Sequence, residues 1–137
     1  MISAVYDTNV LISGTFWRGA PRQLIYLARE RQVQVVTCQA LLDELWSVLT
    51  RPAKTFHLSS AEADRVLGDV LTYARVVTPT RSVDICRDDK DNVVLACALA
   101  GQAEYVVTGD PDLLTLAMFE AIKIVTVRGF LSTVQAG

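Results

Sequence analysis

The sequence predicts an α/β fold, a three-layer α/β/α sandwich with a central, mainly parallel five-stranded sheet. Short β-branched runs alternate with helical patterns from one end of the chain to the other, which implies parallel strands whose two faces are both covered. The 137 residues are 51% hydrophobic and only 20% charged, enough to close one compact core and too apolar for disorder. No repeat, low-complexity stretch or linker interrupts the pattern, so residues 1–137 are expected to form a single domain.

The elements follow in order. ISAVY is the first strand and ends at Asp7, where VYDTNVLISG begins a helix. PRQLIYLARERQ is helical, VQVVT a strand, and QALLDELWSVL a helix with the stripe Leu41, Leu45, Val48 and Leu49. RPAKTFHLSS reads as a connector. SSAEADRVLGDVLTYA is a helix whose Ser59 and Glu62 fit a capping box. RVVT is the third strand, and DNVVLACALA is a helix ended by Gly101. EYVVT, PDLLTLA and KIVTV give strand, short helix and strand, and a helical turn near GFLSTV closes the chain.

Composition excludes several classes. No apolar run approaches the roughly 20 residues a membrane helix needs, and the first residues lack a signal peptide's basic start, so a cytoplasmic protein without membrane contact is expected. Cys38, Cys86 and Cys97 are odd in number, far apart and without a C-x-x-C pair, and read as small buried hydrophobes. His57 is the single histidine and belongs to the connector, which removes a zinc site built on several imidazoles. A net charge of −2 argues against an extended basic surface for nucleic acid. It leaves room for a metal-dependent nuclease, because bound cations reverse the sign of an acidic pocket and ten arginines remain for a local rim.

In open parallel sheets ligands bind beyond the carboxyl ends of the strands. Three such exits carry acids: Asp7 after ISAVY, the run RDDKDN before the third-strand helix, and Gly109-Asp110-Pro111-Asp112 after EYVVT. Each acid has a plain alternative. Asp110, followed by proline, suits a helix cap, and Asp91 could equally cap DNVVLACALA. A cap needs one acid, however, and RDDKDN supplies Asp88, Asp89 and Asp91. On QALLDELWSVL, Asp43 falls on the solvent side while Glu44 flanks the apolar stripe and looks inward, with a surface ion pair as its alternative.

Gathered together, Asp7, Glu44, Asp91 and Asp110 would repel one another unless a counter-charge were present. A divalent cation supplies it, and oxygen ligation with almost no His or Cys selects Mg²⁺ or Mn²⁺ over zinc. Such ions lower the pKa of a bound water and neutralise charge on a phosphodiester.

At these residues the chain resembles the PIN-domain ribonucleases, and among them the VapC-like toxins of toxin–antitoxin pairs. The resemblance runs through VYDTNVLISG, LLDELWSVL, RDDKDNVVLACAL and YVVTGDPDLL, in that order. It implies a PIN-like domain that hydrolyses RNA with Mg²⁺ or Mn²⁺. Asp7, Glu44, Asp91 and Asp110 match the family's four acids, with Asp112 and Asp88 as possible accessory ligands. Thr8, Asn9 and Thr108 match its supporting polar residues. It also implies a homodimer and a cognate antitoxin. Where related sequences often carry proline in the third motif this chain has Asp89, which leaves the choice between Asp91 and Asp88 open.

Two other readings compete. A phosphatase or phosphoacceptor domain would also use Asp7 after the first strand, but a dehalogenase-like phosphatase wants a second acid where Asn9 stands, and Lys123 is the only late lysine. A non-catalytic PIN-like binding module would keep the fold without the reason to tolerate clustered charge.

Overall fold

The computed structural model describes residues 1–52 and 57–136. The elements are β1 (Ile2–Tyr6), α1 (Thr8–Phe16), α2 (Ala20–Arg29), β2 (Val33–Cys38), α3 (Gln39–Thr50), α4 (Ser60–Tyr73), β3 (Ala74–Val77), α5 (Asp89–Ala100), β4 (Tyr105–Val107), α6 (Pro111–Leu116), β5 (Met118–Phe119), β6 (Ile122–Val125) and α7 (Val127–Ala136). The sheet has the order β3-β2-β1-β4-β6-β5. All pairs are parallel except β5 with β6. Among the described residues the sheet therefore has six strands rather than the expected five. The extra one is a two-residue edge strand, too short for any periodicity to reveal it.

Successive strand residues point to opposite faces, and both faces are apolar. Ala4, Tyr6, Val33, Val35 and Val107 pack with α1, α2, α3, α4 and α7. Val5, Val36, Cys38, Val106 and Ile124 pack with α5 and α6. On α3 the buried stripe is Leu41, Leu42, Leu45 and Leu49, so Leu42 replaces the expected Val48, which is half-buried. Each fully buried leucine contributes roughly 2 kcal/mol by removal from water. Cys38 and Cys97 are buried as expected, Cys86 is half-buried, and His57 is exposed. Residues 53–56 of the connector lie outside the described residues.

Local chemistry explains the helix starts. Ser59 and Glu62 form the reciprocal capping box of α4. Helix α5 begins at Asp89, two residues earlier than expected, so Asp88 is its N-cap and Asp91 sits inside the first turn. The cap reading of Asp91 is corrected accordingly. Gly101 ends α5 with φ −89°, which any residue adopts. Its glycine is required by proximity, since a Cβ there would lie 2.3 Å from Val36 Cγ1 of β2. The absence of a side chain at Gly101 lets the end of α5 lie close against Val36 of β2.

Candidate metal centre

Strand β1 is flanked by β2 on one side and β4 on the other, although β4 follows it by about a hundred residues. This is a topological switch point, where the loops leaving two neighbouring strands part to opposite sides and open a crevice. The ladder continues one step past β1, with Asp7 N–H donating to Val107 O at 3.1 Å. Directly above it the Thr108 hydroxyl donates to Asp7 Oδ2. The same hydroxyl oxygen accepts from Asp110 N–H at 3.0 Å. One buried threonine thus joins the first acid to the last.

Three carboxylates start three helices here. Asp7 Oδ1 accepts from Asn9 N–H at 2.8 Å, Asp88 Oδ1 from Lys90 N–H at 3.0 Å, and Asp110 Oδ1 from Asp112 N–H at 2.8 Å. The capping and ligand readings are compatible, because each cap bond engages only Oδ1 and a carboxylate has further lone pairs to offer, even at Asp7, whose Oδ2 also accepts from Thr108. Asn9 contributes its backbone N–H to this arrangement.

Asp7, Thr8, Asn9, Glu44, Asp88, Asp91 and Asp110 line one cleft. Asp112 joins at the rim, and carboxylate oxygens of Asp91, Asp110 and Asp112 all lie within 4.8 Å of one another. Asp91 is 5% exposed, and its Oδ2 is buried without a hydrogen-bond partner among the described residues. Asp88 is exposed and engaged as a cap, while Asp91 is the buried acid of the pair. Glu44 is half-buried on α3, and solvent-side Asp43 is exposed, as the helix geometry predicts.

Burial, followed by the charge of Asp110, raises the Asp91 carboxyl to about 6. Burial also raises Asp7, against the lowering effect of the Thr108 hydroxyl and of two backbone N–H groups. Both carboxylates are pushed upward first by burial, and the charge of neighbouring Asp110 adds to the shift. The donor set is all oxygen, and a buried unpartnered carboxylate oxygen faces it. These residues fit a hard divalent cation.

Three contributors escaped the sequence reading. Lys90 lines the same cleft and its Nζ lies 3.6 Å from Glu44 Oε1. Arg87 pairs with Asp112 at 3.1 Å. Buried Asn92 accepts from Ile85 and Cys86 N–H at 3.1 and 2.9 Å and donates to Cys86 O at 3.2 Å, which ties the preceding loop to α5. All three lie in or beside RDDKDN. The alternation of base and acid there was the available signal.

Lys123, the lysine a phosphatase would need, sits over the Tyr105 ring at 5.9 Å. Tyr105 opens β4, at the end of that strand away from Asp110.

The fold and the cleft define an α/β domain with an acidic, cation-suited centre at the carboxyl edge of its sheet. The chain belongs to the PIN domain family, whose model matches residues 3–112. PIN domains are generally metal-dependent nucleases. An uncharacterized protein of Methanocaldococcus jannaschii, MJ1680, is 29% identical over 119 residues, spanning 84% of this chain and 75% of that protein. Among solved structures, PAE2754 from Pyrobaculum aerophilum aligns with a TM-score of 0.66 at 17% identity, over 99% of this chain and 91% of that one. VapBC2 from Rickettsia felis, bound to a DNA fragment from its promoter, aligns with a TM-score of 0.63 at 12% identity, over 91% and 98%. At these identities the two structures speak for the fold.

Proposed function

We propose that this chain is a Mg²⁺- or Mn²⁺-dependent endoribonuclease, a single PIN domain over residues 1–137, acting as the toxin of a toxin–antitoxin pair. The observation that carries the nuclease reading is the unpartnered, buried Asp91 oxygen beside Asp110 and Asp112 at the β1/β4 switch point. Asp7, Asp91, Asp110 and Glu44 would hold the cation, with Asp112 and Asp88 as accessory acids. A bound divalent ion lowers the pKa of water and offsets charge on a phosphodiester.

The chain's own groups do the positioning. Thr108 fixes the rotamer of Asp7 through its hydroxyl, and the backbone N–H groups of Asn9 and Asp112 hold one oxygen each of Asp7 and Asp110. Thr8 adds a buried hydroxyl to the cleft wall. No side chain is needed as a covalent nucleophile. RNA as substrate, an antitoxin as inhibitor, a homodimer and a cytoplasmic location follow from the resemblance to VapC-like proteins. Of these, the antitoxin draws support from the likeness in fold to VapBC2.

Purified protein should degrade RNA with Mg²⁺ or Mn²⁺, stop on addition of a chelator, and lose activity in Asp7→Asn and Asp91→Asn with folding retained. Full activity in chelator would sink the metal mechanism. A generic phosphomonoester assayed in parallel should remain intact, and its turnover would favour the phosphatase reading. Silence in both assays would favour a binding module.

A further inference from the structure

Among the described residues, Lys90 is the one basic side chain that lines the acidic cleft. It occupies the second position of α5, and its ammonium lies 3.6 Å from Glu44 Oε1 on α3. Helix stability gives no reason for a lysine there. The N-terminal turn carries the positive end of the helix dipole and prefers acids, so a cation in it is mildly unfavourable. The neighbourhood across the cleft supplies the reason, because Glu44, Asp88, Asp91 and Asp110 share its walls.

The pair is built for exchange rather than for permanence. The Lys90 side chain is 62% exposed and that of Glu44 26%. An ion pair in such a setting is worth at most about 1 kcal/mol, so a divalent cation displaces it at little cost. Lysine also suits the displaced state. Its ammonium is a compact point charge on a flexible four-carbon stem, a common phosphate contact when released from a carboxylate. Arg87 serves as the contrast, since it holds Asp112 at the rim and does not line the cleft.

We propose that Lys90 is a resident counter-ion of the cleft: it neutralises Glu44 while the cation is absent, yields Glu44 when the cation enters, and then contacts a phosphate of the bound nucleic acid. It is a positioning residue, acting through Glu44 and the substrate backbone. The inference rests on the cation reading of the cleft given above.

The test is calorimetric titration of Mn²⁺ into the metal-stripped wild-type protein, Lys90→Gln and Lys90→Arg, followed by RNA cleavage at saturating Mn²⁺. Lys90→Gln should bind Mn²⁺ about two- to fivefold more tightly, the scale of an exposed pair. Lys90→Arg, which keeps the charge, should stay near wild type. In cleavage, Lys90→Gln should raise KM at unchanged kcat. Its log KM against log salt slope should fall by about 0.7, the value of one phosphate contact on a single strand.

Equal Mn²⁺ affinity in wild type and Lys90→Gln overturns the counter-ion role, as does a Lys90→Arg protein that behaves like Lys90→Gln. An unchanged salt slope overturns the phosphate contact. Wild-type protein that binds no Mn²⁺ overturns the cation reading and this inference with it, an outcome distinct from binding that Lys90 leaves unaffected.

Discussion

Replacing Thr108 by valine removes one hydroxyl and almost no volume from a fully buried position. That hydroxyl donates to Asp7 Oδ2 and accepts from Asp110 N–H, so its loss leaves a buried carboxylate oxygen and a part-buried amide without partners. A hydrogen bond to a charged group contributes about 1.5–3 kcal/mol and a neutral one about 0.5–1.5. The expected cost is therefore about 2–4 kcal/mol. For a chain of this length that lowers Tm by about 6–15 °C. The measurement is thermal unfolding in chelator, so that no cation masks the change. The deficit should depend on pH. The Thr108 hydroxyl pulls the Asp7 pKa down against burial, so in Thr108→Val it rises further. A raised carboxyl pKa favours the protonated native state, and stability is lost as pH rises through it. The variant's deficit should thus be largest near neutral pH and shrink as acid protonates Asp7. A Tm within about 2 °C of wild type at neutral pH, or a deficit that grows in acid, would refute the role assigned to this hydroxyl.

Asp91→Asn should flatten the pH dependence of the chelated protein. With Asp91 raised from 3.8 to about 6, the wild type holds a proton that the unfolded chain releases, so its stability falls as pH rises across that window. The variant should also lose the rise in Tm that Mn²⁺ gives the wild type; an unchanged slope would count against an uncompensated Asp91. Gly101→Ala should lower Tm by overpacking against Val36, at a cost of about 1–3 kcal/mol. Combining it with Val36→Ala should be less harmful than the sum of the two, and strict additivity would show that the close approach is relieved elsewhere. Asn92→Ala should free the Ile85 and Cys86 N–H groups, seen as faster hydrogen exchange at those two amides with the rest of α5 still protected.

Much of the fold was legible because it is written locally. The Ser59–Glu62 capping box, the Asp110-Pro111 helix start and the β-branched runs each act within a few residues, and each appears where expected. The short edge strand was not legible. Its hairpin turn sets Glu120 at φ 53°, a conformation usually advertised by glycine or asparagine, and neither is present. The start of α5 was missed because RDDKDN offers several acids able to cap, and only the backbone path selects Asp88.

The acids of the site were likewise visible by type and position, since strand exits and helix faces are local properties of sequence. The alternation of elements, the acids at their ends and the oxygen-only set of candidate donors can therefore be read along the chain. Which of these acids meet depends on long-range packing. The Thr108–Asp7 contact spans 101 positions and exists because β4 is laid beside β1 rather than at the sheet's edge. The Lys90–Glu44 pair likewise depends on how α5 and α3 face the cleft. Strand order is a competition among long-range pairings, settled by total burial over both faces of the sheet, and no short string of residues records its outcome.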